Sequence, residues 1–321
     1  MYPSDFDGIV AGAPGVDFNN LYSWRARFYT ITGPSTGPNF IPAKAWQTWI
    51  HDEVLRQCDA LDGVSDGILE DPTRCRFDPT RLLCNTTSNA TRYPIATPSS
   101  NATNCLNAAQ VHQLTQIYSP YNYPNSTRLI YPAMQPGNEI VASTGLYAGT
   151  PWPLSTEWFK YAVYNNPAWN PSSYSPADAL YSDTLDPANI RTYPPSLPAF
   201  EHRGGKLLMY HGLQDNQITS FNTIRFYEWL RGRRSYSDMD SWARFFRISG
   251  MNHCSGGPGA WVVGQGGNAA QAGVPFDKRH NVLRAMVDWV ERGVAPEFIE
   301  GTKFVGDSVA KGVDFRRRHC K

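Results

Sequence analysis

Two strand–loop–helix units in the last third of the chain constrain its fold most. The first begins with the apolar run Lys206–Gly212 and continues through a loop into a helix predicted over residues 220–232. The second begins with Ala243–Ile248 and ends in a helix predicted over residues 281–292, whose apolar side chains recur at helical spacing. This repeated order is typical of a parallel sheet covered by helices on both faces. The sequence therefore predicts an α/β fold.

Each of these strands is followed by a side chain suited to acid–base chemistry. Asp215 follows the first strand, and His253 follows the second within S-G-M-N-H-C-S-G-G, residues 249–257. Neighbouring parallel strands bring their following loops side by side, so we expect Asp215 to hold the Nδ1 proton of His253 and leave Nε2 as a base. The alternative is a loop histidine beside a structural half-cystine. Acid before histidine is the chain order of α/β-hydrolases, whose nucleophilic serine precedes both.

The serine nucleophile is harder to place. G-P-S-T-G at residues 33–37 matches the G-x-S-x-G pattern, with Ser35 at its centre. That turn requires a helix directly after the serine, whereas prolines surround this helix-poor stretch. We interpret Ser35 as a chance match, and Ser255 is too near His253 in sequence for the usual triad geometry.

The apolar run at residues 9–11 ends at Gly12 and Pro14 and predicts a buried parallel strand. A buried central strand needs neighbours on both sides. We therefore expect that a segment preceding this chain is missing.

An acidic loop follows a helix predicted over residues 43–58. The loop carries Asp59, Asp62 and Asp66, the last two each followed by a turn glycine. Their carboxylates, with the main-chain carbonyls of Val64 and Ile68, form a set of oxygen ligands typical of calcium. The spacing is not that of an EF-hand. The alternative is an acidic, solvated turn.

The six cysteines contain no C-x-x-C pair, which argues against a zinc site. Four of them lie near a cluster of glycosylation sequons, which predicts a disulfide-bonded, glycosylated region made in the secretory pathway. The first residues do not form a signal peptide. Either the sequons are chance and the protein is cytosolic, or the true amino terminus is missing. The sequons begin at Asn85, Asn89, Asn101 and Asn125.

A net charge of +1 argues against binding to nucleic acid or to an anionic membrane, and no stretch is long enough to span a membrane. Aromatic residues make up 13% of the chain, which favours clefts that bind rings or sugars. A loop-rich secreted fold is the alternative explanation.

Four motifs together resemble the tannase and feruloyl esterase family of secreted fungal and bacterial carboxylic ester hydrolases. They are Y-P-S-D-F-D-G-I-V-A-G-A-P at residues 2–14, the acidic loop, H-G-L-Q-D at 211–215 and G-M-N-H-C at 250–254, in family order. The resemblance implies an α/β-hydrolase core formed by residues 1–18 and 199–321, with a parallel sheet incomplete on its N-terminal side. Residues 19–198 would form an inserted lid domain with the calcium loop, disulfides and glycosylation sites.

The resemblance also implies roles for individual residues. Asp215 and His253 would be the acid and base of a triad whose serine lies in a G-C-S-x-G-G turn outside this chain, which alone would be inactive. Cys254 would bridge to the cysteine before that serine, and Cys320 to a partner beyond the chain. The remaining pairs would be Cys58 with Cys75 and Cys84 with Cys105. The acidic loop would bind a structural calcium ion.

The resulting hypothesis is a secreted serine esterase acting on phenolic acid esters, of the feruloylated polysaccharide or gallotannin type. An alternative is a non-catalytic, calcium-stabilised secreted glycoprotein that binds phenolics or cell-wall polysaccharide. A third interpretation makes the chain one of two polypeptides, joined to an N-terminal partner through Cys254. The sequence alone does not distinguish feruloyl from galloyl esters.

Overall fold

The computed structural model describes residues 2–84, 104–265 and 273–321. Its strands are β1 Gly8–Gly12, β2 Tyr121–Asn122, β3 Leu129–Tyr131, β4 Lys206–Gly212, β5 Ala243–Ile248, β6 Phe298–Phe304 and β7 Val313–Cys320. Its helices are α1 Phe18–Thr32, α2 Ala43–Ala45, α3 His51–Cys58, α4 Ala108–Ile117, α5 Glu139–Ala142, α6 Pro153–Glu157, α7 Pro176–Leu185, α8 Pro198–His202, α9 Ser220–Arg231, α10 Tyr236–Asp240 and α11 Val282–Arg292.

The central sheet has the order β1-β4-β5 and is parallel throughout. Alternate residues of β4 enter different hydrophobic clusters, as expected for a strand buried on both faces. Leu208 packs with α11, whereas Leu207 packs with α9 and α10. The α/β class with helices on both faces of a parallel sheet is therefore confirmed.

The predicted helices around this sheet are also confirmed, with small shifts at their ends. Thr219 caps α9 and Asn281 caps α11 through side-chain hydrogen bonds to backbone N–H groups. Asn107 and Gln110 form a capping box at the start of α4. The helix predicted over residues 43–58 instead divides into α2 and α3, joined by a wider π-helical turn at Trp46–Ile50.

Strand β1 is parallel, as predicted, and lies at one edge of the sheet within the described residues. Within them β1 pairs with β4 alone, and Ile9 is 40% exposed. A short apolar run indicates a strand but does not reveal how many neighbours it has. The edge of β1 therefore presents unpaired backbone groups.

Most of the described residues between 19 and 198 pack around one hydrophobic cluster, which includes Trp24, Tyr131 and Phe159. Helix α1 contributes several of its side chains. Helix α1 was not predicted from the sequence. The helix buries polar as well as apolar side chains, among them Asn20, Ser23 and Arg25, so it has no clear amphipathic pattern. The β6–β7 hairpin, which is antiparallel, was not predicted either.

Both expected disulfides are present, Cys58–Cys75 and Cys84–Cys105, and Cys254 and Cys320 are free thiols. Three of the four sequons lie outside the described residues. The fourth, at Asn125, lies exposed in the turn between β2 and β3. Within the described ranges, no helix has the length and apolar character needed to cross a membrane.

Candidate active site

The loops that follow β4 and β5 are joined directly to each other. The backbone N–H of Leu213 donates to Ile248 O at 2.9 Å, and that of Gln214 donates to Met251 O at 3.0 Å. Gly212 permits this approach, since a Cβ there would lie 2.3 Å from Met251 O. We call residues 213–218 the acid turn and residues 249–257 the base turn.

Asp215 and His253 meet at this junction. His253 Nδ1 lies 2.8 Å from Asp215 Oδ2, the Asp215 carboxyl is fully buried, and the His253 side chain is 30% exposed. An ionised Asp215 fixes the proton on Nδ1 and leaves Nε2 with a free lone pair. Within the described residues, Nε2 makes no hydrogen bond. The expected contact between the two loops is confirmed, while the catalytic roles remain a prediction.

A second imidazole contacts the same carboxylate oxygen. His211 Nε2 lies 3.0 Å from Asp215 Oδ2 and 3.0 Å from Ile218 O, both acceptors, so Nε2 carries the proton. Nδ1 then accepts from the Thr223 hydroxyl at 2.7 Å. His211 is completely buried at the end of β4. His211 belongs to the H-G-L-Q-D motif, but no sequence pattern marked it as a functional residue.

The other oxygen of Asp215 is held by the backbone. Oδ1 accepts from the N–H groups of Gln217 at 2.7 Å and Ile218 at 2.8 Å. Burial opposes ionisation, but the hydrogen bonds from His211 and His253, together with their favourable electrostatic interactions with the carboxylate, outweigh it and hold the pKa of Asp215 below its usual range. Asp215 is therefore an anionic acceptor for His253 at neutral pH.

The acid turn is also held by side chains from residues 19–198. Gln135 donates to Asp215 O and accepts from Ser220 N at 3.1 Å. The Arg25 guanidinium donates to Gln217 O at 2.9 Å. Nothing in the sequence pattern marked Gln135 or Arg25, because both act on main-chain groups distant in sequence. Residues between 19 and 198 thus contribute directly to the position of the acid turn.

Neither Ser35 nor Cys254 has the surroundings expected of a nucleophile. Ser35 lies exposed in the turn after α1, where its N–H donates to Gly149 O. Cys254 is adjacent to His253, but burial and the charge of Asp215 raise the pKa of its thiol to about 11. A thiol with that pKa is almost entirely protonated at neutral pH and is a poor nucleophile.

The acidic loop is ordered by its own backbone. Asp59 Oδ2 accepts from Gly67 N at 3.1 Å, and Asp62 Oδ1 accepts from Val64 N at 2.9 Å. Asp66 Oδ1 accepts from Ile68 N at 3.1 Å, and its Oδ2 binds Arg317 at 2.7 Å. Within the described residues, no three acidic, histidine or cysteine side chains converge as a metal cluster.

One atom of this loop nevertheless fits a cation. Asp59 Oδ1 is buried without a hydrogen-bond partner, an arrangement that is costly unless a ligand satisfies it. The loop also lies against the candidate site, because Leu69 O accepts from the side chain of Gln214 at 3.0 Å. Gln214 directly precedes Asp215. The loop is distant from the site in sequence but adjacent in space.

The sequence model described as tannase and feruloyl esterase matches residues 1–318. The chain belongs to the tannase and feruloyl esterase family. A probable feruloyl esterase B-2 of Aspergillus flavus is 50% identical over 322 residues, covering 100% of this chain and 59% of that protein. A protein of the same description from Neosartorya fischeri is 41% identical, with 100% and 58% covered. This family member thus spans about three fifths of the length of these relatives.

Solved structures of family members have the same fold. The crystal structure of feruloyl esterase B from Aspergillus oryzae superimposes with a TM-score of 0.89 at 41% identity, covering 100% of this chain and 61% of that chain. A tannin acyl hydrolase from Aspergillus niger superimposes with a TM-score of 0.69 at 20% identity, covering 100% and 57%. The latter similarity supports the fold alone.

Proposed function

We propose that this chain supplies the acid and base of a serine-type carboxylic ester hydrolase. The observation that carries the proposal is the 2.8 Å contact between buried Asp215 and His253, with Nε2 of His253 unpaired within the described residues. Such a pair removes a proton from a nucleophile and returns it to a leaving group. Membership of the tannase and feruloyl esterase family supports the reaction class.

The proposed reaction proceeds in two halves. A serine hydroxyl, contributed from outside these 321 residues, attacks the ester carbonyl while His253 Nε2 takes its proton. His253 then gives that proton to the departing alcohol, which leaves an acyl-serine. Water attacks the acyl group in the same manner, and the acid and the free serine are released. Asp215 orients His253 and stabilises its charged form, and backbone amides near the serine hold the oxyanion.

The proposed substrate is an ester of a phenolic acid, with feruloyl favoured over galloyl. The relatives at 41–50% identity are described as feruloyl esterases, whereas the tannin acyl hydrolase is only 20% identical. Aromatic side chains lie near the acid turn, since the Arg25 guanidinium rests on the rings of Tyr22 and Trp152 at 5.7 and 5.5 Å. The two disulfides and the sequons support a secreted glycoprotein.

A chimera tests the proposed function. The part of the A. flavus relative that this chain does not match would be joined to the 321 residues, and hydrolysis of methyl ferulate and methyl gallate measured. We expect turnover of methyl ferulate by the chimera, weaker turnover of methyl gallate, and none by the chain alone. A folded chimera that binds ferulate without hydrolysing it would instead favour the non-catalytic glycoprotein. Hydrolysis by the chain alone, surviving Ser35→Ala, would show that the nucleophile is misplaced.

Cys254 is the proposed link to the segment that carries the serine. Its free thiol lies directly beside His253, so a disulfide there would hold the nucleophile turn against the base turn. Non-reducing electrophoresis of the protein from its source distinguishes a linked second polypeptide from a single continuous chain.

The acidic loop is proposed as a structural calcium site formed by Asp59, Asp62 and Asp66 with the carbonyls of Val64 and Ile68. The hard oxygen donors and the unpaired Asp59 Oδ1 support this assignment. When bound, calcium neutralises the carboxylates. Arg317 would then lose its contact with Asp66 and keep its contact with Glu70, at 2.9 Å.

Calcium is therefore expected to stabilise the chain against heat. At one hundred times the dissociation constant, binding adds about 2.7 kcal/mol to the free energy of unfolding. Asp62→Ala should abolish the calcium-dependent rise in Tm, whereas Asp52→Ala, an exposed acid on the preceding helix, should preserve it. Thermal unfolding with calcium chloride, magnesium chloride and chelator measures the effect. If calcium raised the Tm of wild type and of Asp62→Ala equally, the proposed site would be refuted.

A further inference from the structure

Two arginines of helix α1 have no carboxylate at ion-pair distance, unlike the other shielded arginines in the described residues. Arg225, for example, binds the carboxylate of Asp17 at 3.1 Å. Arg25 instead donates to the carbonyl of Gln217. Arg27 donates no side-chain hydrogen bond at all within the described part of the chain, although its side chain is only partly exposed. Its guanidinium is thus a half-buried cation with unused donors.

The position of the Arg27 guanidinium is nonetheless fixed. It lies over the ring of Tyr121, 4.4 Å from the centroid, and the Tyr121 hydroxyl is 3.1 Å from that of Tyr174. Burial lowers the pKa of Arg27, although the nearby tyrosines oppose the change. A desolvated cation without a counter-ion is costly. A stacked guanidinium, however, is well prepared to accept an incoming anion.

Arg27 faces a cleft of about 370 Å³ between α1, the Pro120–Asn122 segment and the start of α7. Tyr121 and Tyr174 line the cleft with aromatic rings. Neutral hydrogen-bonding groups also line it, namely the side-chain amides of Gln116 and Asn122 and the hydroxyl of Ser175. The volume is in the range of small-molecule sites, roughly 300–1,000 Å³. Aromatic rings beside amides and hydroxyls suit a ligand that carries several hydroxyl groups.

We propose that this cleft binds a uronic acid unit of a polysaccharide, with Arg27 holding its carboxylate. The planar fork of the guanidinium matches a carboxylate in a bidentate contact, and the surrounding amides and hydroxyls match the sugar hydroxyls. Recognition of the sugar acid rests on the cleft alone. Only the view that the sugar belongs to a feruloylated substrate rests on the proposed function.

The cleft is separate from the candidate active site. Arg25, two residues earlier, points about 200° away around the helix and contacts the acid turn through Gln217. Arg27 therefore faces the opposite side of α1 from Asp215 and His253. A polysaccharide held there would be anchored at a distance from its ester bond.

Binding can be measured on the 321-residue chain by NMR, following the Arg27 Nε–H signal during titration. The probes are glucuronic acid and galacturonic acid, which separate the two common sources of the sugar, with glucose and acetate as neutral-sugar and bare-carboxylate controls. We expect saturable shifts with at least one uronic acid and much weaker ones with glucose or acetate. Arg27→Gln should weaken binding about 10- to 100-fold, as for other hydrogen bonds to charged groups.

Matched variants keep the result interpretable. Arg27→Lys retains charge without the fork and should lie between wild type and Arg27→Gln. The control variant is Arg128→Gln. Arg128 also stacks on a tyrosine, 4.6 Å from the centroid of the Tyr123 ring, but it is paired with Asp183, so its substitution should not change uronic acid binding. The Arg27 variants lack the Arg27 signal, so binding to them is followed through the NMR chemical shifts of Tyr121. Circular dichroism and Tm establish that each variant is folded.

Three outcomes would overturn the proposal. They are uronic acid binding by folded Arg27→Gln as tight as that of wild type, glucose binding as tightly as the uronic acids, and acetate binding as tightly as the uronic acids. The chimera assay separates this result from the proposed function. An inactive chimera whose parent chain binds uronic acid defeats the esterase proposal alone. An active chimera whose cleft binds neither uronic acid defeats the cleft proposal alone.

Discussion

Asp215→Asn in the chimera is expected to lower kcat for methyl ferulate by about 10⁴-fold, the order of magnitude seen when a triad acid is made neutral. The amide keeps the size of the side chain. It replaces an anionic acceptor with a neutral group that no longer selects the Nδ1–H tautomer of His253. Nε2 would then carry the proton instead of accepting one. The measurement is steady-state kinetics with folded, matched enzymes.

A second aspartate–histidine pair provides the control. Asp277 Oδ1 lies 2.9 Å from His280 Nδ1, outside the candidate site. Asp277→Asn should leave kcat within about twofold, as for surface changes that touch no reacting group. His253→Ala should be at least as damaging as Asp215→Asn, because it removes the base itself. Retention of more than a tenth of the activity by Asp215→Asn would contradict the triad assignment.

The second large effect is expected from His211, which we treat as a positioning residue for Asp215. His211→Ala removes one of two imidazoles from Asp215 Oδ2 and leaves a cavity beside the carboxylate. A hydrogen bond to a charged group is worth about 1.5–3 kcal/mol, so kcat should fall about 10- to 100-fold. KM should change little, since His211 is fully buried and cannot touch the substrate.

The same substitution has a pH signature that packing alone does not produce. Because the folded-state pKa of Asp215 is lowered, its ionised form stabilises the fold above the unfolded pKa, and this stabilisation is lost as pH falls. Loss of the His211 donor raises the folded pKa of Asp215. The destabilisation by His211→Ala should therefore be largest near pH 7 and smaller in acid, whereas the cavity cost is independent of pH. Urea unfolding of the 321-residue chain measures the difference.

Rescue separates positioning from general damage. His211→Gln places an amide N–H near the former Nε2 and should recover much of both kcat and stability. If glutamine is no better than alanine, or if KM rises while kcat is unchanged, His211 does not act by holding Asp215.

Local patterns in the sequence predicted the parts of this site that depend on local structure. The apolar runs that became β4 and β5 placed Asp215 and His253 at neighbouring strand ends, because parallel pairing follows from the strand–loop–helix order. The helix predicted over residues 281–292 was an equally local signal, and Asn281 caps it.

The remaining features depend on contacts between distant residues. Helix α1 was missed because its polar residues are buried against other elements, which removes the periodic pattern. Gln135 reaches Asp215 across 80 positions of sequence, and no spacing rule anticipates that contact. The edge position of β1 likewise depends on the neighbours it has, which its own residues do not encode.

The hydrogen bonds between residues 19–198 and the acid turn bear on protein engineering. Exchanging residues 19–198 between family members is an obvious route to new specificity. Such a graft also replaces Arg25 and Gln135, whose side chains hold the backbone around Asp215. It replaces Leu69 as well, whose carbonyl holds Gln214. A graft that changes the contacts made at these three positions would displace Asp215 even with every other residue unchanged.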